Sequence, residues 1–249
     1  RRLGARYPPR MPTGSFAGVA AESRNEDEMD VLIPVEEAGR WPSPGTEPMG
    51  LAFNHGTLWV SCRESHRLYA MDASSSAISE EVQTPGAPFG LAFFQDKLHV
   101  VIGHGNDDDD RYIYRYVLGR GFEDDPVACP GLSGVHLAPV GETLFLSQAH
   151  NRKILALDPS GEVIKEIALD RVPVGMTVVG DSFYLVTGDR KFKNLQLGRL
   201  DPSEGAASLL IPMASIPFNA RGLAFDGKHF WTAERNKNEI VTLATPAPC

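Results

Sequence analysis

Gly50-Leu-Ala-Phe53, Gly90-Leu-Ala-Phe93, Gly134-Val-His-Leu137, Gly175-Met-Thr-Val178 and Gly222-Leu-Ala-Phe225 open five successive units of this chain. The starts lie 40, 44, 41 and 47 residues apart. Inside each unit a second phrase follows a short turn: Leu58-Trp59-Val60-Ser61, Leu98-His99-Val100-Val101, Leu144-Phe145-Leu146-Ser147, Phe183-Tyr184-Leu185-Val186 and Phe230-Trp231-Thr232-Ala233. A third follows that, as in Arg67–Asp72 and Lys153–Asp158. A period of about 40–45 residues with four short strands per unit is the mark of a β-propeller, each unit being one blade. The repeat predicts an all-β fold of five four-stranded blades, with a sixth, degenerate blade as the alternative.

In the first unit the strands fall at Gly50–Phe53 (A), Thr57–Cys62 (B), Arg67–Met71 (C) and Ile78–Gln83 (D). Between A and B stand Asn54-His55-Gly56, Gln95-Asp96-Lys97, Val140-Gly141-Glu142, Gly180-Asp181 and Asp226-Gly227-Lys228. Such residues tolerate positive φ or bond their own backbone, as tight hairpins require. The fifth unit ends after its third strand at Glu239–Leu243. Asp30-Val-Leu-Ile-Pro-Val35 precedes the first glycine phrase much as Ser208-Leu-Leu-Ile-Pro-Met213 precedes the last. The expectation is that residues 31–35 pair beside 239–243 and complete blade 5, which removes an open sheet edge. The propeller then spans 30–249. Residues 1–29 form an N-terminal arm with one strand candidate at Phe16–Ala20.

The chain has 249 residues and a net charge of −8, which disfavours a general nucleic-acid partner. Cys62, Cys129 and Cys249 are too few, and odd in number, for a disulfide framework; Cys62 reads as a small buried hydrophobe. No apolar run approaches the ~20 residues of a membrane span, and no signal peptide is visible, so the reading is soluble with the compartment open.

Leu58-Trp-Val-Ser-Cys-Arg63, Arg67-Leu-Tyr-Ala-Met-Asp72 and the recurring Gly-Leu-Ala-Phe resemble the NHL and SMP-30/gluconolactonase-like propellers. Phe230-Trp-Thr-Ala-Glu234 with Asn238-Glu-Ile240 resembles a blade of the virginiamycin B lyase type. The resemblance covers about four fifths of the chain. It implies either a central metal held by Glu, Asn and Asp, partly from the position before the strand-A glycine, or a catalytic histidine at that position. Here Met49, Phe89, Ser133, Val174 and Arg221 stand there. They cannot supply the oxygen shell of a hard cation such as Ca²⁺, and Glu47 and Asn219, slightly upstream, do not make a site. Glu234 alone matches the lyase pattern. No central metal and no cofactor are expected.

A propeller carries its D–A and B–C loops on one face. That face gathers Arg63, Glu64 and His66; His104 and Asn106-Asp-Asp-Asp-Asp110; His150, Asn151 and Arg152; Asp189, Arg190 and Lys191; and Glu234, Arg235 and Asn236. Arg221 and Glu47 join from the D–A side. Local pairs Glu64–Arg63 and Glu234–Arg235 are expected, and the acidic run reads as a solvated loop or a lid, since it lacks the Gly and Glu of an EF-hand loop. His66, His104 and His150 leave a divalent transition metal open. His136 replaces an alanine of the repeat and reads first as a satisfied core histidine, with an orientation into the channel as the alternative.

The primary reading is a propeller that binds a small molecule, glycan or peptide at the channel mouth. Arg221, Glu47, Met49, Phe89, Glu64, His66, Asp189, Arg190 and His136 are its candidate ligand residues. The alternative is a lyase, isomerase or hydrolase on the same face, with His104 or His150 as base, Glu234 as acid or metal ligand, and Arg221 as anion clamp. Oligomeric state is open.

Overall fold

The computed structural model describes residues 32–202 and 210–245. The first strand, β1 (Glu37–Pro42), belongs to the last blade. Blade 1 is β2 (Pro48–Asn54), β3 (Thr57–Cys62), β4 (Arg67–Asp72) and β5 (Ile78–Gln83). Blade 2 is β6 (Ala87–Phe94), β7 (Lys97–His104) and β8 (Asp110–Val117), with its outer strand split into β9 (Gly121–Phe122) and β10 (Val127–Ala128). Blade 3 is β11 (Leu137–Val140), β12 (Thr143–Gln148), β13 (Lys153–Leu157) and β14 (Val163–Ala168). Blade 4 is β15 (Val172–Val179), β16 (Ser182–Gly188), β17 (Leu195–Leu200) and β18 (Ile211–Ile216). Blade 5 is β19 (Ala220–Phe225), β20 (His229–Glu234), β21 (Glu239–Ala244) and β1. The fold is a five-bladed β-propeller. The proposed arm at 1–29 and its strand at Phe16–Ala20 lie outside the described residues, as does Cys249.

The N-terminal segment does close the ring, but with a different strand from the one expected. Residues 37–42, not 31–35, pair antiparallel with β21, in register Arg40↔Val241 and Trp41↔Ile240. Trp41 stacks on Trp231 at 5.2 Å between ring centroids, and Arg40 bonds both Glu234 and Glu239. The Leu-Ile-Pro segment instead runs parallel beside Ser215 of blade 4, where the Val35 N–H donates to the Ser215 carbonyl at 2.8 Å. Pro34 has no N–H to contribute to a ladder, so that segment suits a single bridge better than a closing strand.

The recurring glycine has a steric cause. A Cβ on Gly50 would lie 2.3 Å from the Phe89 carbonyl oxygen of the next blade. One on Gly90 would lie 2.3 Å from the Val135 oxygen, one on Gly175 2.6 Å from the Gly222 oxygen, and one on Gly222 2.8 Å from the Met49 oxygen. The inner strands meet backbone to backbone around the channel. Blade 3 departs from the expected register by two residues. The His136 N–H donates to Ser147 Oγ at 3.1 Å, as the Gly50 N–H donates to Ser61 Oγ at 2.8 Å. Leu137 then pairs Leu146 as Leu51 pairs Val60. The residue equivalent to the strand-A glycine is therefore His136, not Gly134, and the ring runs Gly50, Gly90, His136, Gly175, Gly222. His136 replaces the glycine of the repeat rather than its alanine.

Ser61 ties two blades together. Its hydroxyl accepts from the Gly50 N–H and donates to the Phe89 carbonyl, all fully buried. Ser61→Ala leaves both backbone groups without that partner and is expected to cost about 2 kcal/mol, because unmade buried hydrogen bonds carry their full desolvation penalty. Urea denaturation checks this: a loss below about 0.5 kcal/mol, the range of an indifferent substitution, would remove the hydroxyl from the account.

The blade faces fill with alternating strand residues, among them Trp59, Phe183 and Phe230, each nearly or fully buried. Cys62 and Cys129 are buried free thiols, raised by burial to about 12, and behave as small apolar residues.

Candidate functional site at the channel mouth

The five residues preceding the inner ring are Met49, Phe89, Val135, Val174 and Arg221, with Val135 in the place expected for Ser133. All five line one cavity of about 330 Å³ at the mouth of the channel. Around them stand Arg63, Asp109, Arg111, His136, His150, Phe192 and Arg235. Apolar walls with a few convergent polar groups are the usual form of a small-molecule site.

Four guanidiniums reach this cavity, and they are not alike. Arg63 bonds Asp108 at 2.7 Å and lies 3.8 Å from Glu47. Arg235 bonds Glu47 at 2.7 Å. Those two are neutralised. Arg111 bonds only carbonyl oxygens, those of Asp108 and Gly134, and lies over the Phe89 ring at 3.6 Å. Burial, and then Arg63, lower its pKa, against the pull of Asp109 and Asp108. Arg221 is buried and donates only to the Ala220 carbonyl, at 2.7 Å. Burial first, and then Arg235, bring it down to about 10. Among the described residues neither Arg111 nor Arg221 has a carboxylate within ion-pair distance.

His136 is fully enclosed. Burial, reinforced by the neighbouring Arg221 and opposed by a bond to the Val174 backbone, lowers its pKa to about 3. Its ring is therefore neutral near pH 7. Its Nε2 has no hydrogen-bond partner.

The remaining candidates are placed as follows. His150 lines the cavity, exposed, with its ring 5.7 Å from Phe192. His104 hydrogen-bonds Tyr114 at 2.9 Å and is not part of the lining. Glu234 is buried and bonds Arg40, with Lys237 at 3.5 Å, so it anchors the closing strand. Asp189 accepts from the N–H groups of Lys191 and Lys193 and from Asn194, and so shapes its own loop. Glu64, His66 and Arg190 are exposed and outside the lining. The local pairs expected for Arg63 and Arg235 are replaced by the longer-range ones above. The acidic loop is not simply solvated, since Asp108 grips Arg63 and Asp109 faces the cavity. The set His104, His150 and Glu234 is thus not gathered at one point.

Two contributors had weak sequence signals. Arg111 is the second residue of β8, whose ladder with β7 runs as far as His104↔Asp110 and so carries the hairpin to the channel mouth. Phe192 sits at φ 58° in the loop that Asp189 organises.

No protein-family model matches the chain, and comparison with curated proteins finds no sequence relative. Solved structures do match it in fold. Glutaminyl cyclase from Myxococcus xanthus aligns at 12% identity over 86% of this chain and 98% of that one, TM-score 0.65. The PQQ-bound aldose sugar dehydrogenase from Streptomyces coelicolor aligns at 16% over 84% and 97%, TM-score 0.61. The calcium-binding protein regucalcin from Agrobacterium tumefaciens aligns at 13% over 87% and 96%, TM-score 0.54. The chain is a β-propeller, and at these identities the likeness is one of fold alone. The central metal implied by the sequence resemblance does not fit the residues present: Met49, Phe89, Val135 and Val174 offer the channel mouth hydrocarbon, and Arg221 a cation. Among the described residues no three His, Cys, Asp or Glu side chains gather as ligands, so His66, His104 and His150 do not form a transition-metal site. No helix among them is long and apolar enough to cross a membrane.

Proposed function

We propose that this propeller binds a small organic anion in the channel-mouth cavity, with Arg221 and Arg111 holding the anionic group between apolar walls. The observation that carries the reading is Arg221. A buried guanidinium without a counter-charge is costly, and three carboxylates of the same loop face are engaged elsewhere: Glu47 by Arg235, Glu234 by Arg40 and Asp189 by its own loop. A carboxylate or phosphate on a ligand meets its planar fork with paired hydrogen bonds.

Phenylacetate, phosphate and sulfate serve as probes, titrated calorimetrically against chloride at matched ionic strength. At least one should bind. Arg221→Met should weaken that binding at least tenfold, about 1.4 kcal/mol, while raising the melting temperature of the free protein by about 2–4 °C for each kcal/mol of desolvation relieved. Arg221→Lys keeps the charge, loses the fork, and should bind with intermediate affinity. A lower melting temperature in both variants would mark Arg221 as structural and end the proposal.

A further inference from the structure

The channel-mouth cavity is defined by its charge as well as its walls. Among the described residues, four guanidiniums line it, those of Arg63, Arg111, Arg221 and Arg235, and a single carboxylate, that of Asp109. Two further carboxylates sit behind the lining. Asp108 bonds Arg63 at 2.7 Å, and Glu47 bonds Arg235 at 2.7 Å and lies 3.8 Å from Arg63. His136 is neutral and adds no charge. Four cations against three carboxylates leave the cavity with one positive charge.

Asp109 is the member of this set with no task in the fold. It is exposed and, among the described residues, makes no hydrogen bond or ion pair. Its neighbour Asp108 grips Arg63, and Asp107, also exposed, does not reach the lining. Asp109 stands two residues before Arg111, whose only bonds are to the carbonyl oxygens of Asp108 and Gly134. A guanidinium has five N–H donors, so Arg111 keeps some for a ligand. A carboxylate beyond hydrogen-bond reach leaves those donors open while offsetting the charge behind them, because Coulomb attraction extends further than a hydrogen bond.

Resting on the anion-binding reading above, we propose that the ligand is a singly charged organic acid, not a dicarboxylate or a phosphate monoester, and that Asp109 is the residue that turns away a second negative charge. One oxyanion shared by Arg221 and Arg111 brings the cavity to neutrality. A second would find Arg63 and Arg235 already engaged and would face Asp109. Like charges set against each other are a direct way to reject a ligand that is otherwise the right shape.

The test uses 4-carbamoylphenylacetate and 4-carboxyphenylacetate, which match in shape and differ by one charge. Each is titrated calorimetrically into the full chain at pH 8 and matched ionic strength, where ordinary imidazoles are neutral. The monoanion should bind the unsubstituted protein about tenfold or more tightly, the effect of one unit of like charge at a dielectric between those of water and the interior. Asp109→Asn should bring the two acids within about threefold of each other, near the scatter of independent substitutions. Asp107→Asn removes the same charge from outside the lining and should leave the preference intact. Both positions are exposed, so neither variant threatens the fold. The charge rule would be overturned by a dianion that binds the unsubstituted protein as tightly as the monoanion, by a preference that survives Asp109→Asn, or by one lost equally in Asp107→Asn. Sulfate binding more tightly than phenylacetate would overturn it as well. In each of those cases binding that Arg221→Met still weakens would leave the anion site standing, whereas no binding of any of these anions would overturn both.

Discussion

Gly90→Ala is expected to destabilise the propeller by about 3 kcal/mol, the upper part of the range for overpacking a filled interior. The new Cβ would stand 2.3 Å from the Val135 oxygen and 2.5 Å from the His136 Cα, and both obstacles are backbone. No rotamer change relieves them, so the blade 2–blade 3 contact must open. Gly141→Ala is the comparison. Gly141 has φ 56° with nothing within 4 Å of the added carbon, so its cost is conformational alone, about 1–2 kcal/mol. Urea midpoints for the two variants separate crowding from backbone strain. Equal losses would mean that the ring glycines are kept for their dihedral freedom and not for the closeness of the blades. Domains of this kind hold about 5–15 kcal/mol in all, so a loss of the expected size at one ring position removes a large part of the total.

The same crowding explains what could be read from the residues and what could not. Four of the five glycine phrases fall at the ring because no other residue fits there. In blade 3 the search for a glycine selects Gly134, two residues early, since the ring position there is a histidine. The better guide was the literal Leu137-Ala138, matching Leu51-Ala52, together with the hydroxyl 11 residues beyond the ring position, Ser61 after Gly50 and Ser147 after His136. The closing strand was misplaced by the likeness of two Ile-Pro segments, because a proline that cannot join a ladder weighs less in a pattern than in a sheet. Trp41, free to stack on Trp231, was the stronger physical signal. The channel-mouth face and several of its residues, Met49, Phe89, Arg221, His136 and His150, were legible from topology. The charge pairings were not. Arg235 reaches Glu47 across 188 residues and Arg40 reaches Glu234 across 194, and only closure of the ring brings them together. Those pairings decide which guanidiniums are left over, so the anion site is a property of the closed ring.

Acid should weaken the fold well before its carboxylates titrate. His136 and His99 are both buried and neutral. Burial dominates at His99 and sets its pKa at about 4, with Arg115 and Lys97 adding to the depression and the Lys97 backbone and Glu123 opposing it; His136 lies at about 3 beside Arg221. Both bind protons more weakly in the fold than in the unfolded chain, whose reference is 6.5. The unfolded chain therefore takes up protons first as pH falls. Their contribution is complete above the unfolded value and is lost progressively between 6.5 and the folded values, at up to about 1.4 kcal/mol per pH unit for each group. By pH 4 that is about 3 kcal/mol per histidine. Carboxylates held below their usual range by hydrogen bonds and cations, such as Asp226 and Glu37, work in the same direction but only as pH passes below about 4.5. The interval from 6.5 to 4.5 thus isolates the histidines. Unfolding free energy from urea titrations across it should fall with a slope near two protons, and His99→Gln should reduce that slope to about one. A flat profile in this interval, with the loss confined below pH 4.5, would show that these rings reach solvent or a partner when charged, and would remove the buried neutral His136 from both the fold and the ligand site.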